Sequence, residues 1–114
     1  MPISVVDNAK YPWVDVRPGV KRRVISDAST PGIGLVHLDC RPGTGAPDHT
    51  HPYDETYTVL EGRFEIWAAD QRFRLDPGST AFVPEDVVHG FAAVGGPGLI
   101  QGTIPSAELV SEFP

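Results

Sequence analysis

The chain has 114 residues, 15 of them acidic and 9 basic, for a net charge of −6, and its mean hydropathy is −0.14. This length suits one domain with a modest core. The hydropathy argues against both a disordered chain and a membrane protein. The acidic balance argues against nucleic acid or an anionic membrane as partner, since both demand a basic face.

The N-terminal stretch MPISVVDNAKYPWVD has no basic start followed by a long apolar run, so no secretory leader is expected. From there, short β-branched and apolar segments alternate with turn signals, and helical periodicity is almost absent. Strands are expected at residues 3–6, 20–26, 34–40, 55–60, 63–68, 72–75, 80–83, 90–94 and 99–104. Between them lie Arg17-Pro18-Gly19, Thr30-Pro31-Gly32, Arg41-Pro42-Gly43, Asp76-Pro77-Gly78 and Gly95-Gly96-Pro97-Gly98, all turn sequences. Ala69-Asp70-Gln71 reads as a hairpin tip. The tail from Ser106 to Phe113 is compatible with a helical turn or an extended arm. The expected fold class is all-β, a jelly roll or small barrel in a single domain. The one cysteine, Cys40, has no partner for an internal disulfide and fits a reducing cytoplasm.

The four histidines carry the chemistry: His37, His49, His51 and His89. Along an extended chain, every second side chain shares a face. His49, His51 and Glu55 therefore point the same way, with Tyr53 and Tyr57 on the same parity. Two imidazoles and a carboxylate on one face are metal-ligand chemistry, and His89, at a strand start, is the candidate fourth donor. A buried Glu55 without a cation would be costly, and metal ligation removes that cost. Tyr57 and Phe91 are candidates to line the pocket. His37 is a candidate base, and Tyr53 a second group able to move a proton. Arg22 or Arg23 is a candidate for gripping a substrate carboxylate at the barrel mouth. Cys40 reads as a small buried hydrophobe rather than a nucleophile. There is no GxSxG, phosphate loop, CxxC pair or dinucleotide fingerprint to support another chemistry.

The run Gly43-(five residues)-His49-Thr50-His51-(three)-Glu55-(six)-Gly62 resembles the first motif of the cupin family at every fixed position. The run Gly78-(five)-Pro84-(two)-Val87-Val88-His89 resembles the second. Asp86 replaces a usual glycine, a mild departure because Asp tolerates left-handed backbone, and Ala93 replaces a usual asparagine. The resemblance implies one cupin domain over residues 1–114, with its motifs at 43–62 and 78–93. It further implies a jelly-roll β-barrel holding one divalent transition metal (zinc, manganese, iron or nickel) on His49, His51, Glu55 and His89. The stretch Trp13…Gly19-Val20-Lys21-Arg22-Arg23 is also similar to small cupins of aromatic polyketide biosynthesis and of uronate catabolism.

Three function classes follow from such a centre. The first is a non-redox isomerase, lyase or cyclase with the metal as Lewis acid. The second is an iron, manganese or nickel dioxygenase, and the third a non-catalytic small-molecule-binding cupin. A small-molecule substrate is expected. So is a homodimer in which residues 2–16, or the tail near Phe113, cover a neighbouring sheet edge.

Overall fold

A computed structural model describes residues 3–27, 30, 32–106 and 108–113. The chain is all-β, as the turn-punctuated sequence predicts. Among the described residues, a 3-10 turn at Asn8–Lys10, capped by the Asp7 carboxylate, is followed by ten strands in chain order. They are β1 (Val14–Arg17), β2 (Val20–Val24), β3 (Gly34–Cys40), β4 (Gly45–His49), β5 (Glu55–Glu61), β6 (Phe64–Ala68), β7 (Gln71–Leu75), β8 (Thr80–Val83), β9 (His89–Ala93) and β10 (Gly98–Ile104). They form a six-stranded sheet, β1-β2-β3-β10-β5-β8, and a four-stranded sheet, β4-β9-β6-β7, and every pairing is antiparallel.

The Pro-Gly pairs turn the chain as their chemistry dictates. Gly19, Gly43 and Gly78 each follow a proline and adopt φ of 81°, 79° and 89°, where a side chain would be strained. Asp86 sits at φ 62°, the left-handed position its side chain tolerates. The turns expected at Thr30-Pro31-Gly32 and in the tail fall partly on Pro31 and Ala107, outside the described residues.

Three strands depart from the sequence reading. Val14–Arg17 is a strand where none is expected, paired antiparallel with β2 at the edge of the six-stranded sheet. Residues 3–6 are not a strand; Ile3 and Val5 are 93% and 92% exposed. The segment Gly45–His49 is a strand despite its Gly, Pro and Asp. It lies at the edge of the four-stranded sheet, the place where a proline's missing N–H is tolerated.

Core and cavity divide the barrel lengthwise. Toward one end, Val20, Cys40, Val59, Phe64, Ala93 and Ile100 pack into a buried cluster. On five of the same strands, residues two or four positions away, Arg22 and Val24, Val36 and Leu38, Tyr57 and Glu55, Phe91, and Gly102, line a cavity of about 440 Å3. Period-two alternation carries each of these strands from core to cavity wall without changing face. No described helix is long and apolar enough to cross a membrane.

Candidate metal centre

Three imidazoles converge at this cavity. The coordinating atoms of His49, His51 and His89 all lie within 4.8 Å of one another. They arrive from different places. His49 ends β4 and His89 begins β9, and the two are cross-strand partners in the small sheet. His51 lies on the connection to the large sheet, where its carbonyl accepts from the Asp86 amide at 2.9 Å. The Asp54 carboxylate accepts from the Glu85 amide at 2.9 Å and ties the same two loops together. Glu55 then opens β5. The even spacing read from the sequence thus brings these residues together across two sheets and a loop, not along one extended strand.

The tautomers follow from the partners. Nδ1 of His49 faces the Pro47 carbonyl at 2.7 Å, Nδ1 of His51 the Val110 carbonyl at 2.7 Å, and Nδ1 of His89 the Val87 carbonyl at 2.8 Å. A carbonyl only accepts, so each Nδ1 carries the proton and each Nε2 turns a lone pair toward the common centre. Burial lowers the pKa of His49 to about 4 and also lowers that of His89, keeping both neutral at ordinary pH. The Tyr57 hydroxyl sits among the three nitrogens, 2.9 Å from Nε2 of His89 and 3.5 Å from the other two. Because His89 Nε2 is an acceptor, the phenol donates to it. Burial and then the Glu55 charge push the phenol well above its ordinary pKa.

Glu55 tests whether a cation fits. Its Oε1 is buried with no hydrogen-bond donor, yet lies 2.9 Å from Nε2 of His51 and 4.0 Å from that of His89. With Nδ1 donating to Val110, a neutral His51 presents a bare lone pair to this oxygen. The contact is favourable only with a cation between them, a proton on Nε2 or a metal ion. Burial alone would lower the His51 pKa, but the hydrogen bonds to Glu55 and Val110 raise it overall. With His51 Nε2 stripped of the proton that Glu55 favours, three imidazole nitrogens and one carboxylate oxygen make a donor set suited to a divalent transition metal.

The other expected site residues divide. Tyr57 and Phe91 line the cavity, and so does Arg22. Arg23 and His37 do not, because Val36 and Leu38 on β3 face the cavity and His37 between them faces the other side of the sheet. There His37 Nδ1 accepts from Arg23 at 3.0 Å and its Nε2 donates to Gln101 at 3.0 Å, both direct cross-strand partners. With both nitrogens engaged away from the cavity, the structure does not bring His37 to the site as a base. Tyr53 stacks on His51 with ring centroids 5.2 Å apart, but its hydroxyl bonds the backbone of Val110 and does not face the cavity. Cys40 is fully buried, as read from the sequence.

Sequence reasoning missed three participants. Arg17 lines the cavity and donates to the Gly45 carbonyl at 2.7 Å. Gly102 leaves room for Glu55, whose Oε2 would lie 2.8 Å from a Cβ there. The tail supplies Leu109, Ser111 and Phe113 to the cavity wall. Its signal was the alternation of Leu109, Ser111 and Phe113 with Val110 and Glu112, which reads as an extended arm.

Comparison with known proteins agrees with this geometry. Residues 36–99 match the Cupin domain family model. The polyketide synthase CurC of Streptomyces cyaneus is 38% identical over 56 residues, covering 48% of this chain and 36% of CurC, so the match spans well under half of that relative. The structure of KdgF from Halomonas sp. superimposes with a TM-score of 0.78 at 29% identity, covering 91% of this chain and 94% of KdgF. The polyketide cyclase RemF from Streptomyces resistomycificus shares the fold, with a TM-score of 0.80 at 21% identity over 97% of this chain and 84% of RemF. With the family model matched over more than half its length and the same barrel in both structures, the chain belongs to the cupin family.

Proposed function

We propose that this protein is a metal-dependent cupin enzyme that acts on a small anionic organic substrate by non-redox chemistry, as an isomerase, lyase or cyclase. The observation that carries the metal reading is the set of three Nε2 lone pairs, each fixed by a carbonyl at Nδ1, beside the orphaned Glu55 oxygen. His49, His51 and His89 would hold the ion with Glu55. When bound, a divalent metal supplies Lewis acidity, stabilising negative charge on a substrate carbonyl, enolate or carboxylate oxygen.

The chain's own residues do the rest. Tyr57, whose phenol pKa is pushed up by burial and the Glu55 charge, stands at the centre as a hydrogen-bond donor. Arg22 and Arg17 line the cavity; Arg17 is engaged by Gly45, while Arg22 has no hydrogen-bond or ion-pair partner among the described residues and is free to take a carboxylate. Phe91, Leu38 and Val36 give the cavity an apolar wall that excludes water. Similarity to CurC, a polyketide synthase, supports an organic small molecule as substrate. In the same reading the protein is a cytoplasmic homodimer joined through the exposed N-terminal segment.

The test is turnover of a panel of small keto, hydroxy and uronic acids, followed by proton NMR with and without added zinc or manganese and with oxygen monitored. Metal-dependent conversion without oxygen uptake supports the proposal. Conversion that consumes oxygen stoichiometrically with iron would replace it with a dioxygenase.

A further inference from the structure

The three imidazoles are not held alike. His49 and His89 each donate to a carbonyl two residues earlier on the same stretch of chain, Pro47 and Val87. Those acceptors are present as soon as β4 and β9 form. His51 instead donates to Val110, 59 residues away in the tail. We propose that the C-terminal segment 109–113 is a positioning strap for His51: its Val110 carbonyl sets the His51 tautomer, and the Tyr53 hydroxyl locks Val110 in place.

The strap is pinned at several points. Thr50 and Glu112 exchange both backbone hydrogen bonds, at 2.8 and 2.9 Å, directly before His51. The Tyr53 hydroxyl accepts from the Val110 amide at 2.9 Å and donates to the Val110 carbonyl at 3.0 Å, so both polar groups of that residue are clamped. The Ser111 hydroxyl adds a contact at 3.2 Å from His51 Nδ1. Phe113 stacks on His49 with ring centroids 5.5 Å apart, and the Arg17 guanidinium lies 5.8 Å from the centre of the Phe113 ring. Leu109, Ser111 and Phe113 line the cavity, whereas Val110 and Glu112 between them do not. One segment therefore both walls the cavity and orients one imidazole of the centre.

The strap is only partly buried: Val110 and Phe113 are 42% and 51% exposed. Elements with so little burial open at low free-energy cost. Without the strap, His51 Nδ1 loses both the Val110 carbonyl and the Ser111 hydroxyl, while Nε2 still faces the Glu55 carboxylate, so the proton moves to Nε2, where it blocks the lone pair aimed at the centre. Outer hydrogen bonds of this kind typically change metal affinity about 10–100-fold.

The inference rests on the metal reading above only for its affinity arm, so the experiment has two readouts. The wild-type chain, Tyr53→Phe and a chain ending at residue 107 are titrated with Co2+ alone by visible absorption. The imidazole nitrogens of the metal-free proteins are assigned by long-range 15N NMR at alkaline pH. Tyr53→Phe keeps the ring stacked on His51 and removes only the clamp, so it decides the question even if the shortened chain fails to fold. The strap predicts that His51 leaves the Nδ1–H pattern in the shortened chain, and in part in Tyr53→Phe, while His49 and His89 keep it. It also predicts that Co2+ affinity falls about 10–100-fold on shortening. If wild type takes up no Co2+ but the His51 pattern still shifts, the metal reading falls and the positioning role stands. If His51 keeps its Nδ1–H pattern in both variants, the strap inference is overturned whatever the metal does.

Discussion

His49 and His89 face each other across the β4–β9 pair as direct Cα partners, their ring centroids 4.2 Å apart. Each donates Nδ1–H to a carbonyl on its own side, so their two Nε2 lone pairs meet over the same point. Replacing either by Ala removes one donor from a site that has no spare nitrogen. The expected outcome is loss of metal-induced stabilisation in a melting experiment. Ligand at 100 times its Kd stabilises a fold by about 2.7 kcal/mol, and this increment is expected for wild type and absent in either variant.

Glu55→Gln should act in opposite directions with and without metal. The carboxylate oxygen is buried without a donor, and an amide at that position gives His51 Nε2 a hydrogen bond. With chelator present, at alkaline pH, the variant should melt no lower than wild type, because leaving a buried polar atom unpaired costs about 1–3 kcal/mol. With metal present the order should reverse, since the charged donor is gone. Parallel melting curves, with and without metal, check both signs.

Gly102→Ala tests the support behind the same carboxylate. The new Cβ would stand 2.8 Å from Glu55 Oε2, so the side chain must shift. Metal affinity should fall about 10–100-fold, the range seen when a ligand's support is disturbed, with the three Nδ1 hydrogen bonds unchanged by 15N NMR.

His37→Ala should lower stability and leave metal affinity alone. It strips partners from Arg23 and Gln101 on the outer side of the large sheet. A cost of about 1–3 kcal/mol is expected for those unpaired groups. Chemical denaturation measures it. A variant with wild-type stability and weakened metal binding would place His37 functionally with the centre.

Cys40 supplies a pH prediction. Burial, then the nearby Asp39 charge, raises its thiol from the ordinary 9.0 to about 12. A raised thiol pKa means its contribution to stability is complete below pH 9.0, the value of the exposed group, and is lost as the pH climbs toward about 12. The native protein should resist alkylation at neutral pH and react at once when unfolded, as mass spectrometry of iodoacetamide-treated samples would show.

Much of this was legible in the residues, for identifiable reasons. The ends of β3 and β8 were fixed by flanking Gly and Pro, and the Pro-Gly turns by backbone conformation, so local chemistry sufficed. The convergence of His49, His51, Glu55 and His89 followed from motif spacing, although the even parity that suggested it is interrupted at residues 50–54 by a change of sheet. Strand β4 escaped notice because Gly45 and Pro47 are poor strand formers, and only its edge position makes them acceptable. His37 was misplaced because β3 is buried on both faces: Val36, His37 and Cys40 are all under cover. Alternation tells which residues share a face, not which face is the inside. The strap was undecidable for a related reason, since its partners Thr50 and Tyr53 lie about 60 residues away in sequence.

The most direct test of the central claim, that His49, His51, His89 and Glu55 hold one divalent metal ion, is elemental analysis of protein purified without a histidine tag and re-equilibrated with a mixture of zinc, manganese, iron and nickel. Wild type should hold one ion per chain, and a His49→Ala, His89→Ala double variant that retains its fold essentially none. Equal metal content in the two proteins, or none in wild type, would contradict it.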